Sequence, residues 1–596
     1  MSTKVSRREF LRVAALAGAA TVIAACGATP TATPVPPTAT KPPTAAAPTA
    51  TKPPAAAAPT ATQAPAAPSG KTLPADAAPA AQQILRAQFA SSGSSSFHFM
   101  PTATGSDFET WMPVFNVPPM YFDEAFKTLK PGVFVSWEST PDFKVWTFRL
   151  DPKAKWSDNT AITAADCKAS WELLADPDTQ AGRATSYLGN IQGYNDLRAK
   201  KVQEMTGLKV VDDRTLQVTV DKPDPVFQYR IATCHLAPYK ASLAKGKVAD
   251  WWKPENKPVG SGPYLLATYD ADKKEATAVP NPNWWKDEGP YLSKITFQFV
   301  PDPETVATMF QNNQLDTSPK SPVSITLKAK YPDLFRTVKA VGFNLFFLRP
   351  MAEPTDDINV RKALILSLNF QDIFAAAFPD KDAEFVTQLI DPDIPCKEAN
   401  PTWYKQDIAA AKAALAASKW GGPDKLPKIR VCPRGNWPPM NRALEVVMEQ
   451  WRKNLGITNI EFKQQVTEWG PDARKLNLLR DDIVVRFPDA PTYLRTGIHS
   501  QGEMAFDPGG DAVPIMGGYK NPKVDELIDQ ALALPATDPK RCELALQAQK
   551  VFMDDYMVIF FGKPFSYLTT RDYVKNLIFG PDRGLIEPWK IYIAKH

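Results

Sequence analysis

Two hydrophobic periods alternate along most of this chain, and that alternation limits its fold more than any other feature. In KVWTFRL, Lys144 to Leu150, the side chains of Trp146, Phe148 and Leu150 share one face. That period of two specifies a strand with one side buried. TLQVTV repeats it through Leu216, Val218 and Val220, and KITFQFV through Ile295, Phe297 and Phe299. Between such stretches the period lengthens to that of a helix. TAADCKASWELLAD opens at Thr163, a good N-cap, with Asp166 at the third helical position, where a carboxylate favours the helix N-terminus. ETVATMFQNN predicts a second helix. Asn441 to Leu455 sets Leu444, Met448, Trp451 and Leu455 on one stripe and stops at Gly456, while DIAAAKAALAASKWGG begins at Asp407 and ends at Gly421-Gly422. Strand and helix in alternation predict an α/β fold.

The first 80 residues stand apart from that pattern. Arg7, Arg8 and Arg12 precede an apolar run from Val13 to Ala25, too short to cross a hydrocarbon core about 30 Å thick. A basic segment, a short apolar run and small residues before a cut site describe an export signal. Ser6-Arg7-Arg8-Glu9-Phe10-Leu11 resembles the twin-arginine signal, whose cargo crosses folded, and Ile23-Ala24-Ala25-Cys26 resembles a lipobox. Residues 1–26 therefore read as a lipoprotein signal with Cys26 as the lipid attachment point, and two acyl chains are enough for stable anchoring. Residues 27–80, almost entirely Pro, Ala and Thr, read as a disordered stalk. The expected location is the outer face of the cytoplasmic membrane, or the periplasm, with the protein held by its lipid.

Residues 81–596 are enough for two or three domains with their own cores. A net charge of +5 is small for 596 residues and demands no nucleic acid. Six cysteines show no CxxC spacing, which argues against a metal knuckle or redox motif; outside the cell one or two disulfides are expected among Cys167, Cys234, Cys396, Cys432 and Cys542, with one thiol left over. Four histidines, none in HExxH, and a GSG at Gly260 without GxSxG spacing argue against an enzyme, and no phosphate loop, dinucleotide fingerprint or metal cluster points to a cofactor. Fifteen tryptophans suit sheet cores and also an aromatic-lined ligand groove.

Six blocks in order carry a resemblance: SWESTPDFKVWTFRLDPKAKWSDNTAITAADCKASWELL, PVGSGPYLL at Pro258 to Leu266, NPNWW, FVPDPETVATMFQNNQLD, DDINVRKALILSLNFQDI at Asp356 to Ile373, and YKNPKVDELIDQALA. Together they resemble the bacterial extracellular solute-binding proteins of family 5, the oligopeptide-, dipeptide- and nickel-binding receptors of ABC importers, across Phe134 to Leu577. Each block also has an architectural reading; in GSGPY, Gly260 and Gly262 permit positive φ and Pro263 fixes φ in a turn entering a strand. The resemblance implies a type II periplasmic-binding-protein fold of two lobes with a hinge plus an extra inserted domain. Residues 81–118, 259–340 and 564–596 would form the first lobe, 119–258 the inserted domain and 341–563 the second lobe, with crossings near Val341-Gly342 and Gly562-Pro564. It implies no catalysis: a monomer closes on a small-molecule or peptide ligand and presents it to the permease subunits.

The resemblance also directs attention to DDIVVRFPDAPTYLRTG. Peptide-binding members often carry (W/G)-x-A-D-Y-P-D-P in the second lobe, where the first Asp pairs with the peptide's α-ammonium. Here Phe487-Pro488-Asp489 match the YPD, but Arg486 stands in the acid's place. A guanidinium repels an ammonium and grips a carboxylate or phosphate. The candidate ligand contacts are therefore Arg486, Phe487 and Asp489, with a ligand that is anionic or sugar-containing rather than an ordinary free-amine peptide; the plainer alternative pairs Arg486 with Asp481 or Asp482. Trp437, in the loop PRGNWPPMN before a helix, is a further candidate because the comparable loop in the family often approaches the cleft. Trp111 is a candidate with less context, and Trp469 reads as core.

Overall fold

The computed structural model describes residues 72–89, 106–181, 184–247, 250–319, 325–338, 342–396, 403–484, 488–502, 504–507, 513–580 and 584–596. The export signal, Cys26 and residues 27–71 lie outside them, as do Arg486 and Phe487. The described residues all belong to one compact unit, Gln63–His596.

Three sheets carry the fold. Seven strands, in spatial order Phe335–Val338, Ser566–Thr570, Thr317–Pro319, Ile84–Phe89, Lys294–Phe299, Glu275–Pro280 and Tyr264–Asp270, form the largest. Five form the second, in the order Ile460–Phe462, Ile429–Cys432, Leu478–Val484, Gly342–Leu348 and Val558–Phe560. Phe134–Ser139, Val145–Leu150, Thr215–Thr219 and Leu208–Asp212 form an antiparallel third. The period-two stretches are strands with the expected faces: Trp146, Phe148 and Leu150 are buried while Arg149 is exposed, and Ile295, Phe297 and Phe299 are buried on the strand Lys294–Phe299.

Helix ends follow local chemistry. Thr163 and Asp166 complete a reciprocal capping box on Ala164–Ala175: the Thr163 hydroxyl accepts from the Asp166 N–H, and the Asp166 carboxylate accepts from the Thr163 N–H at 2.9 Å. The helix ending at Leu455 begins at Pro438, three residues before the expected start, because Pro438 and Pro439 fill the first two positions, where no N–H is needed. It stops at Gly456, whose φ of 74° supplies the left-handed cap. The helix capped by Asp407 ends at Ala417, ahead of the expected Gly421-Gly422, since the Ser418 hydroxyl takes the Leu415 carbonyl and its backbone turns extended.

Two expectations change. Neither Gly260 nor Gly262 has a positive φ. These glycines are needed for close approach instead: a Cβ on Gly262 would stand 2.3 Å from the Phe115 carbonyl carbon, and one on Gly260 2.6 Å from its oxygen. Among the described cysteines one disulfide forms, Cys396–Cys542, and Cys167, Cys234 and Cys432 are free and buried, so three thiols remain rather than one.

The chain passes twice between the two larger sheets. Residues 339–341 join Phe335–Val338 to Gly342–Leu348, and residues 561–565 join Val558–Phe560 to Ser566–Thr570. Residues 72–80, expected as the end of the disordered stalk, instead belong to the body, because the far end of the chain gives them backbone and side-chain partners: Ala77 bridges Ala594, and Tyr592 donates its hydroxyl to Asp76; next to them the Gln83 side chain donates to the Ile593 carbonyl and accepts from the Ile593 N–H, both at 2.8 Å.

Candidate ligand-binding site

Strand direction brings two of the described candidates, Trp437 and Asp489, to one edge. Ile429–Cys432 runs parallel to Leu478–Val484; Val558–Phe560 runs the same way, because both it and Leu478–Val484 are antiparallel to Gly342–Leu348. The carboxyl ends of these three strands are followed by residues 433–437, 485–489 and 561–565. Carboxyl-terminal strand ends are where open α/β sheets hold ligands, because the loops there escape the sheet's own pairing. The same edge carries both crossings.

Trp437 occupies the N-cap position of Pro438–Leu455, half-buried. Its ring centroid lies 6.1 Å from Phe378 and 6.0 Å from Phe561, so it covers an aromatic cluster at the end of Val558–Phe560. Arg434, held at φ 58° one turn earlier, pairs its guanidinium with Asp481. Asp481 therefore has a cationic partner from the loop that follows the neighbouring strand Ile429–Cys432.

Asp489 stands where residues 485–487 return to the described body. It caps Ala490–Gly497: Oδ2 accepts from the Thr492 N–H at 3.1 Å and its hydroxyl at 2.6 Å, while Oδ1 accepts from Arg541 Nη2 at 2.6 Å. The Arg541 guanidinium also donates to the carbonyls of Ala531 and Leu534 and is 2 % exposed. Both oxygens of Asp489 are thus engaged within the protein. Trp111 is elsewhere, on the seven-stranded sheet; its ring meets Phe297 edge-on at 5.0 Å, it is 1 % exposed, and its Nε1 has no hydrogen-bond partner among the described residues. Trp469 is core, packed with Cys432, Leu476 and Leu479.

Sequence reasoning missed a second cluster at this edge. Asp391, fully buried, accepts from the Gly342 N–H at 2.5 Å and from Lys563 Nζ at 2.7 Å; Lys563 also reaches Asp393 at 2.7 Å. Burial works against the Lys563 ammonium, but the two carboxylates outweigh it and hold its pKa above the ordinary lysine value. Burial, with the Asp391 charge, pushes the neighbouring Tyr493 hydroxyl far up. The available signal was the DPD of residues 391–393 set between Ile390 and Ile394, since acids amid apolar residues require partners. Among the described residues no group of His, Cys, Asp and Glu is arranged to hold a metal ion, and no helix is long and apolar enough to cross a membrane.

Residues 128–504 match the family model of the bacterial extracellular solute-binding proteins, family 5 Middle. The chain is 26 % identical over 484 residues to the periplasmic oligopeptide-binding protein OppA of Salmonella typhimurium, covering 78 % of this chain and 85 % of that one. It is 28 % identical over 488 residues to the periplasmic murein peptide-binding protein MppA of Escherichia coli, with the same coverage. Among solved structures, the unliganded open form of MppA superposes with a TM-score of 0.70 at 22 % identity, over 88 % of this chain and 99 % of that one. Clavulanic acid biosynthesis oligopeptide binding protein 2 superposes with a TM-score of 0.74 at 18 % identity, over 86 % and 96 %. The fold is that of a two-lobed periplasmic binding protein.

Proposed function

Because the chain belongs to the bacterial extracellular solute-binding proteins of family 5, we propose that it is the capture component of an ABC importer, taking a peptide-like ligand with an anionic group between two lobes. The first lobe is built on the seven-stranded sheet and the second on the five-stranded sheet, with residues 119–258 as the inserted domain. Closure excludes water from the ligand, and a ligand favours the closed state only by contacts it makes there and not in the open one. The lipid on Cys26 and the Pro/Ala/Thr-rich stalk that follows it, ending before residue 72, keep the receptor beside its permease, raising its effective concentration there. The protein passes its ligand on unchanged and acts as a monomer.

The observation that carries the ligand class is Arg486, in the place where peptide-binding members hold the acid for the α-ammonium. Support comes from Asp489, which anchors the chain three residues past that arginine. The relatives named for oligopeptides and murein peptide favour a peptide framework. Trp437 at the same edge offers a half-buried ring face to a side chain or sugar. Calorimetry of the purified protein tests this with three panels: free dipeptides and tripeptides, N-acylated or phosphorylated peptides, and oligosaccharides. The expected result is binding of the net-anionic N-acylated or phosphorylated peptides and not of the zwitterionic free peptides, weakened at least tenfold, about 1.4 kcal/mol, by Arg486→Ala. Micromolar binding of unmodified peptides that survives Arg486→Ala would make this an ordinary oligopeptide receptor and refute the anionic-ligand reading.

A further inference from the structure

Resting on that two-lobed reading, we infer that Asp391 and Lys563 are positioning residues that couple the two crossings and so set how far the lobes open. Asp391 belongs to neither crossing, yet it receives both. Its Oδ2 accepts the N–H of Gly342, the first residue of the strand after one crossing, and its Oδ1 accepts the ammonium of Lys563, inside the other.

A glycine in a left-handed conformation stands at each crossing. Gly342 and Gly562 hold φ of 98° and 118°, a region that side chains other than glycine's rarely adopt. Two such strands acting separately allow many relative orientations of the sheets they join. A single carboxylate that must satisfy a donor from each removes most of them. Asp391 is 0 % exposed and Lys563 4 %, so a rotation that withdraws Lys563 leaves the Asp391 charge buried without its counter-ion, and one that withdraws Gly342 strips that carboxylate of a hydrogen bond it has no water to replace.

The segment carrying the carboxylates is itself fixed. Ala383–Glu384 pairs antiparallel with Lys563–Pro564, and the Phe565 N–H donates to the Asp382 carbonyl at 2.9 Å. At its other end Cys396 is bonded to Cys542. Cys542 is next in sequence to Arg541, the partner of Asp489. Residues 382–396 therefore form a strap, covalently tied to the helix that anchors the candidate ligand edge, tied by an ion pair to the crossing at Lys563 and by a hydrogen bond to the crossing at Gly342.

The test needs no ligand. Spin labels on cysteines introduced at exposed Lys273 and Lys453, one on each side of the crossings, report the interlobe distance distribution of the free protein by pulsed electron resonance. Lys563→Met, and the charge-free pair Asp391→Asn with Lys563→Met, are expected to broaden that distribution about twofold, whereas Lys563→Arg restores the wild-type width. The double variant leaves no unpaired charge at Asp391 and keeps the comparison open if Lys563→Met alone fails to fold. A distribution of wild-type width in the folded variants, even with a lowered melting temperature, overturns the inference and makes the cluster purely structural. Failure of every ligand panel above would count against the capture reading and leave this ligand-free measurement standing.

Discussion

Substituting Asp489 by alanine should be among the most damaging single changes near the candidate site, for a reason that can be divided into parts. The carboxylate caps Ala490–Gly497, and losing a cap of this kind costs about 1 kcal/mol. It also neutralises Arg541, which is 2 % exposed, and leaving a buried charge without its partner costs about 3–5 kcal/mol. Asp489→Ala is thus expected to lower stability by about 4–6 kcal/mol, and Arg541→Met by about 3 kcal/mol through the abandoned carboxylate. The double variant should recover most of this, because an apolar pair of similar volume replaces a buried ion pair at little cost, leaving about 1–2 kcal/mol for the lost cap. Urea unfolding followed by tryptophan fluorescence, with all four proteins compared by midpoint, measures the coupling. Additive single-variant losses, with no recovery in the double variant, would refute the argument that this pair is held by mutual neutralisation.

Two further outcomes are expected. Cys542→Ser should destabilise the protein by about 5 kcal/mol on the chain-entropy account, because the Cys396–Cys542 bond spans a sequence separation of 146, and the loss should be matched by reducing the wild-type protein before thermal unfolding. His499 has its pKa lowered by burial and then by the Arg495 charge, against the opposing pull of Asp525 and Asp529. Its unfolded form, near pH 6.5, therefore binds the proton more readily, so its stabilising contribution is full above that pH and is lost as pH falls through the lower folded value. His499→Gln should narrow the drop in melting temperature between pH 7 and pH 5, and an unchanged drop would count against this assignment.

What could be read in advance was local. The strand Val145–Leu150 and the helix Ala164–Ala175 follow from side-chain period and capping, both contained in a dozen residues. Half of the Asp489 environment is of that kind, since an Asp three residues before Thr492 is an N-cap pattern; its other partner, Arg541, lies 52 residues on. Asp391 and Lys563 are 172 residues apart, and no period or spacing links them. The roles of Gly260 and Gly262 escaped for the same reason, because the neighbour that excludes a Cβ is Phe115, far back in the chain. Burial and ion pairing across such separations are properties of the assembled sheets, to which local patterns contribute only the parts.

The meeting of the two ends of the body carries a consequence in time. Gln83 and Ile593 are 510 residues apart, and the strand Ile84–Phe89 lies in the middle of a sheet that also needs Ser566–Thr570. During synthesis Ile84–Phe89 can pair once Lys294–Phe299 and Thr317–Pro319 have emerged, but Phe335–Val338 must wait for Ser566–Thr570, the strand that joins it to the rest of the sheet. A product truncated before residue 566 therefore cannot join Phe335–Val338 to its own largest sheet.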